Sequence, residues 1–235
     1  MSTQGTVSPA RRRGLADEVA DRIREGILTG AYEPGRQLRE VELSTVMDVS
    51  RGPVREALRL LEHEGLVHVT WHRGATVTRF SRRDVAELDS LRAALEGLAV
   101  HEVAHRATED DFAALDRAAE AVARAVGAHE LAQRDVDFHD AVFAAAHHER
   151  LRRSWECIRR QVHLFLLTRI SRSEELRDGC AEEHRELVGA LRTRDADAAN
   201  ALFSEHRRRV FELSDSDDWS DLLCSDDCEG ERREG

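Results

Sequence analysis

Residues 36–64 carry two apolar-periodic runs with only Asp48-Val49-Ser50 between them. So short a joint makes the two encoded helices cross instead of running on, the pattern of a helix-turn-helix. The first run spans residues 36–47, and the second starts at Arg51 and reaches Leu61. Ser50 stands where an N-cap serine is expected, and Arg51 and Arg55 lie one turn apart at the start of the second helix. A helix N-terminus that presents arginines suits insertion into a DNA major groove.

The net charge of −11 argues against DNA only if it is spread evenly. It is not. Residues 214–235 hold nine acids and two arginines, a balance of −7, whereas residues 1–80 hold twelve arginines and eleven acids, a balance of +1. The local field around the reading helix governs DNA attraction, not the total. All 35 basic residues are arginine, which we read as composition bias before function. Apolar residues make up 41% and aromatics 5%, a mix that favours amphipathic helices over a β-sandwich. The four cysteines are Cys157, Cys180, Cys224 and Cys228, with no C-x-x-C pair, no signal peptide and no apolar run of spanning length. A reducing cytoplasmic setting is the simple expectation. Cys180 falls on an apolar helix face and is expected in the core.

Along the chain, residues 1–13 end in Arg11-Arg12-Arg13 and are expected to form a disordered arm. A helix is predicted over 15–29 from Leu15, Val19, Ile23 and Ile27, ended by Gly30 and Pro34-Gly35. After Gly65, two β-branched runs flank His72-Arg73-Gly74-Ala75, which predicts a hairpin. Together these make a winged helix over 14–80. Residues 81–84 are expected to be a short hinge with an N-cap. Everything from 85 to 213 is predicted to be helical: a stripe of Val85, Leu88, Leu91, Leu95 and Leu98, a second of Phe112, Leu115, Ala119, Val122 and Val126, and helices over 129–146, 148–169, 174–193 and 195–213. The fold class is thus mostly α, a winged helix-turn-helix followed by an antiparallel all-helical bundle. Residues 214–235 are expected to be a disordered acidic tail.

Four polar residues interrupt the apolar faces of three of these helices. Asp135 and His139 share the face of Leu131, Phe138 and Val142. His184 sits among Cys180, Leu187 and Leu191, and His206 among Ala199, Leu202 and Val210. A buried carboxylate without a partner is costly. Three imidazoles and one carboxylate satisfy each other around a divalent cation such as Zn, Ni or Mn. Separate core histidines with hydrogen-bonded partners are the alternative. His163 flanks the stripe of Trp155, Ile158, Val162 and Phe165, at the core or the rim of a pocket. Arg92 and Arg159 lie close enough to the apolar lines to face inward, and a buried arginine wants an anion. Each is a candidate grip on a ligand carboxylate or a member of a structural ion pair, for Arg92 with Glu96.

His101-Glu102-Val103-Ala104-His105 matches the H-E-x-x-H zinc-peptidase pattern. The longer form of that pattern needs Gly at 108 and His at 111, where this chain has Thr108 and Asp111. With no neighbouring sheet to shape a cleft, these are expected to be exposed polar residues, and an enzyme is not the expected class.

Residues 15–213 resemble the GntR family of bacterial regulators, in the FadR-like branch with an FCD effector domain. In the first part the carrying residues are Gly30, Pro34-Gly35, Leu38, Glu42-Leu43, Val49-Ser50-Arg51, Pro53 to Leu58, Leu61, Glu64-Gly65-Leu66 and Gly74. In the second part they are Leu91-Arg92, Leu95-Glu96, Asp135, Phe138-His139, His184 and His206. The resemblance implies a homodimer that binds a short palindromic operator on double-stranded DNA and responds to a small organic acid, most simply as a repressor. It implies DNA contacts from Ser50, Arg51, Gly52, Arg55 and Arg39 and from the wing turn His72, Arg73 and Gly74. It implies a divalent metal at Asp135, His139, His184 and His206. One departure is Gly52, where the family commonly has threonine, which removes a hydroxyl donor near phosphate. A dimer that binds DNA without metal or effector, and a metal-dependent enzyme built on the same cluster, remain the alternatives.

Overall fold

The structure is a computed structural model that describes residues 14–70, 74–174, 176 and 179–211. The expected arm 1–13, the wing-turn residues His72 and Arg73, and the acidic tail with Cys224 and Cys228 lie outside the described residues.

The first unit opens with α1 (Leu15–Leu28), whose Val19, Ala20, Ile23 and Ile27 are buried against α3 (Arg51–His63) through Val54, Ala57, Leu58 and Leu61. Both helices present apolar residues every three or four positions, so one face of each is removed from water. Between them lies α2 (Glu40–Val46). The helix expected over 36–47 is shorter than its pattern suggested. Gln37–Leu38 instead form a strand, β1, paired antiparallel with β3 (Gly74–Val77). Leu38 is thereby buried opposite Ala75, and the local turn at Gly35 commits the chain to an extended start. The wing strands are β2 (Val67–Thr70) and β3, and the sheet order is β1-β3-β2.

Gly74 is forced by this arrangement. Its φ is +89°, and a Cβ there would lie 2.6 Å from the Leu38 carbonyl oxygen. Ser50 occupies the N-cap of α3 with extended backbone, but its side chain makes no capping hydrogen bond, so the expected cap is positional only. Ser50 is exposed, as are Arg51 and Gly52 after it.

Within the expected hinge 81–84, residues 82–84 are already the first turn of α4 (Arg82–Arg106) and Ser81 is its N-cap. Ser81 caps it through a reciprocal pair: its Oγ accepts from Asp84 N at 3.0 Å, and Asp84 Oδ2 accepts from Ser81 N at 2.8 Å. Thr108 and Asp111 repeat that box at the start of α5 (Glu109–Arg124). The bundle continues with α6 (Gly127–Ala145), α7 (Glu149–Ile170), α8 (Cys180–Arg192) and α9 (Ala196–Phe211). In the stretch expected as one helix over 174–193, the described residues 174 and 176 are helical, and α8 begins at Cys180 after Gly179. The leucine stripe expected on α4 also shifts. Leu91 and Leu98 are exposed, and the inward line is Val85, Leu88, Arg92, Glu96, Ala99, Val100 and Val103. The inward face follows Leu88 by steps of four onto two charged residues, which a hydrophobic pattern cannot show. On α9, Phe203 takes the buried place expected for Leu202.

The two units meet along α7. Arg160 Nε lies 3.4 Å from Glu64 Oε2 at the end of α3, and Arg24 of α1 holds the same carboxylate through its Nε at 2.7 Å. His129 Nδ1 meets the Leu28 carbonyl at 2.8 Å, and Phe80 meets Phe165 edge to face.

Gly74→Ala is expected to weaken the wing by about 1–3 kcal/mol, since the substitution imposes a positive φ on alanine and collides with fixed backbone. Chemical denaturation followed by circular dichroism measures it, and an unchanged midpoint contradicts the β1–β3 packing described.

Candidate metal centre and nucleic-acid face

α6 delivers Asp135 and His139 from one face, α8 delivers His184 and α9 delivers His206. All four are buried, and one ligand atom from each lies within 4.8 Å of the others. The Asp135 carboxylate is the hub. Its Oδ1 is 3.3 Å from His184 Nε2 and 3.8 Å from His206 Nε2, and its Oδ2 is 3.7 Å from His139 Nε2. Two of the outer nitrogens are hydrogen-bonded and the third faces a carboxylate. His184 Nδ1 donates to the Cys180 carbonyl at 2.6 Å, His206 Nδ1 faces Glu183 Oε2 at 3.1 Å, and His139 Nδ1 lies 2.8 Å from Glu96 Oε1. Fixing the proton on Nδ1 turns the Nε2 lone pair inward, the arrangement in which a histidine binds metal.

The donor set fits a divalent cation. His184 Nε2, His206 Nε2 and Asp135 Oδ2 are buried with no hydrogen-bond partner, and unsatisfied buried groups of this kind cost about 1–3 kcal/mol each. Donors on a small cation at about 2.1 Å sit roughly 3.4 Å apart in a tetrahedral site, so ligand atoms within 4.8 Å of one another would have to draw together around the ion. Three imidazoles and a carboxylate suit Zn, Ni or Mn.

Arg92 lies beside this cluster, 1% exposed. Its Nη2 donates to His139 Nε2 at 2.7 Å and lies 3.5 Å from Glu96 Oε1, while Nε and Nη1 have no partner. The ion pair with Glu96 therefore exists and still leaves the guanidinium half unsatisfied. Arg159 is different. It is held by Asp140, with Nε to Oδ1 at 3.0 Å, and Trp155 Nε1 donates to the same oxygen at 2.6 Å. His163 is buried with Nε2 unpartnered.

Burial alone would raise the Asp135 carboxyl. His184 at 3.3 Å and the fields of the other imidazoles outweigh it and hold the group far below the usual carboxylate range. Glu96 is held down to about 2 against its own burial by Arg92 and His139. Burial, then the neighbouring His184, push His206 down to about 4. Burial and the Arg159 charge push His163 down to about 4. His184 goes the other way, up to about 10, because the Asp135 carboxylate 3.3 Å away outweighs the cost of burial.

The sequence-predicted DNA residues Arg39, Arg51, Arg55 and Gly74 line one cleft of about 550 Å³ between α2, the start of α3 and the sheet. Arg51 and Gly52 are exposed, and nothing lies within 4 Å of where a Gly52 Cβ would be. The cleft also contains a residue the sequence reading passed over. Glu40 forms a two-pronged pair with Arg55, with Nε to Oε1 and Nη2 to Oε2 each at 3.0 Å. The signal was fifteen residues away in sequence, beyond any local pattern. The H-E-x-x-H histidines are exposed, and His105 Nδ1 bonds the His101 carbonyl.

A winged helix whose reading helix presents arginines, joined to a helical domain with a buried polar cluster, defines a DNA-binding transcriptional regulator. Comparison with known families narrows it. The FCD domain matches residues 87–209, and the description "Bacterial regulatory proteins, gntR family" matches residues 15–77. The chain belongs to the GntR family of bacterial regulators, in the branch that carries an FCD domain, a family of transcriptional regulators and not of enzymes. It is 32% identical over 201 residues to a protein of Paenarthrobacter nicotinovorans named "Probable D-xylose utilization operon transcriptional repressor", covering 83% of this chain and 86% of that one. It is 30% identical over 236 residues to the Uxu operon transcriptional regulator of Escherichia coli strain K12, covering 86% and 88%. The solved structure of E. coli McbR/YncC shares the fold, with a TM-score of 0.71 at 24% identity over 84% of this chain and 95% of that one. Among the described residues no helix is long and apolar enough to cross a membrane.

Because His184 keeps a proton up to about pH 10, capture of a divalent ion by its Nε2 must expel that proton. Apparent metal affinity is expected to rise about tenfold per pH unit, hence roughly a hundredfold between pH 6.5 and 8.5. Competition against a chromophoric chelator at the two pH values measures this, and a flat profile contradicts the inward Nε2 assignment.

Proposed function

We propose that the chain is a cytoplasmic, homodimeric repressor that holds a palindromic operator and is released from it by a small organic acid bound beside a divalent metal ion. DNA binding and regulation are family properties. The metal and the acid are read from the buried cluster. The observation that carries the reading is the convergence of three Nε2 atoms, two of them without a hydrogen-bond partner, on one buried carboxylate, next to a guanidinium with two unpaired nitrogens.

Asp135, His139, His184 and His206 would hold the ion. A bound divalent cation supplies a positive charge with open coordination positions, to which a carboxylate oxygen is attracted. Arg92 supplies the rest. With His139 Nε2 committed to a cation, Arg92 offers Nε, Nη1 and Nη2 to the same acid, a planar fork that matches a carboxylate. Arg159, already held by Asp140, would shape the pocket wall more than grip the ligand. One relative is named for a D-xylose utilization operon, which agrees with a small metabolite of carbon-source use as effector.

For a ligand to switch DNA binding it must bind two arrangements of the protein unequally. α7 is the element placed to carry that difference. Its Trp155 lies near His139, with ring centroids 6.4 Å apart. Its next turns set Arg160 against Glu64 and Gln161 against Gly65, at the end of the reading helix. Ser50, Arg51, Arg55 and Arg39, with the wing at Gly74, would meet the operator, and two copies would place two such faces on one palindrome.

A thermal-shift screen of small carboxylic and sugar acids, with and without Zn, Ni or Mn, tests this. A cognate acid at about a hundred times its Kd is expected to raise the melting temperature by roughly 5–10 °C in the presence of metal only. In Arg92→Gln the acid shift is expected to vanish while the shift due to metal alone persists. An acid shift that survives both metal removal and Arg92→Gln rejects the proposed site.

A further inference from the structure

Arg51 and Arg55 sit one turn apart on the exposed start of α3, yet their surroundings differ. Arg51 has no ion pair among the described residues and is free to reach a phosphate. Arg55 is held. Its Nε and Nη2 both donate to the Glu40 carboxylate, each at 3.0 Å, and this Glu40 side chain is 23% exposed against 56% for Arg55. Glu40 is the first residue of α2, one position after the N-cap Arg39, so its backbone is fixed relative to α3. The pairing is strong enough to hold Glu40 below the ordinary carboxylate range, with the fields of Arg51 and Arg59 adding to that of Arg55.

A guanidinium has two edges that each present a parallel pair of N–H donors. Glu40 occupies the Nε/Nη2 edge. The Nη1/Nη2 edge therefore stays free, and it offers the donor pair that matches O6 and N7 of guanine in the major groove. The carboxylate also alters the choice between partners. It cancels much of the Arg55 charge, and it repels a phosphate that would approach the same guanidinium. A free arginine clamps phosphate readily and carries no sequence information. A buttressed one loses that option and keeps its base-reading edge.

We propose that Glu40 is a positioning residue for sequence readout: it fixes Arg55 so that its outer edge reads one guanine in each operator half-site and is kept off the phosphate backbone. This rests on Arg55 meeting the operator, as proposed above, and extends that reading to a residue on another helix. Val41, exposed and lining the same cleft, stands next to Glu40 without a charge to compete for Arg55.

The test is selection of binding sites from a pool of random DNA duplexes at fixed salt, with the full-length wild type, Glu40→Gln, Glu40→Ala and Arg55→Ala. Circular dichroism checks that each variant is folded. The wild type is expected to prefer guanine over other bases by about tenfold or more at one position of each half-site. In Glu40→Gln and Glu40→Ala that preference should fall to within about threefold, while affinity for random duplex rises roughly three- to tenfold, because a positive charge is released to the backbone. A merely structural role for Glu40 would lower affinity for every duplex and leave the guanine preference intact, which overturns the proposal. So does an unchanged selected motif in both Glu40 variants. Arg55→Ala separates the two layers. If it retains the guanine preference, Arg55 is not the reader and the underlying assignment fails. If it loses the preference while the Glu40 variants keep theirs, only the buttressing role is rejected.

Discussion

The buried carboxylate of Asp135 is the constraint around which the helical half is arranged. A charge removed from water must be met by partners at close range. Three helices answer it, each with one imidazole at the depth where the hydrophobic pattern calls for leucine. The imidazoles are in turn oriented by groups behind them: the Cys180 carbonyl, Glu183 and Glu96. Arg92 and Glu96 extend the polar core to α4, where two full charges lie on the inward line of a long helix. Such a core makes little sense as packing alone, because apolar side chains of the same volume would be at least as stable. A polar network with bare nitrogens aimed at one point is a place for something to bind.

Much of this was legible in the chain, and the reasons it was legible are local. Asp135 and His139 stand four apart, so helical geometry alone puts them on one face with Phe138 and Val142. His184 and His206 each interrupt a stripe whose other members are apolar. The reading helix was visible because its joint with α2 is too short for other solutions. What was missed is what depends on contacts between distant segments. β1 exists because Leu38 has Ala75 to pair with, and nothing within residues 36–47 says so. The inward face of α4 was misplaced because leucines at 91, 95 and 98 outscore Arg92 and Glu96 on any hydrophobic scale. The Arg55–Glu40 fork joins residues from two helices and has no periodicity to betray it.

The two halves are joined where a small movement would matter. Glu64 ends the reading helix and is shared by Arg24 of α1 and Arg160 of α7. The same helix α7 borders the polar core through Trp155 and buries His163. A shift of α7 would thus alter the support of α3 directly, without a chain of intermediates. The contact between the halves is mixed in character, with the Arg160–Glu64 ion pair and the hydrogen bond between the His129 side chain and the Leu28 carbonyl beside the Phe80–Phe165 pair. Such junctions hold one arrangement without excluding a second.

The claim beneath the whole account is that Asp135, His139, His184 and His206 form one metal centre. Metal analysis of the purified full-length protein, beside a His184→Ala/His206→Ala double variant shown by circular dichroism to be folded, tests it most directly. The expected result is about one Zn, Ni or Mn ion per wild-type chain and none in the variant. A wild-type chain that stays metal-free after incubation with all three ions, or a folded variant that retains the full complement, would contradict it.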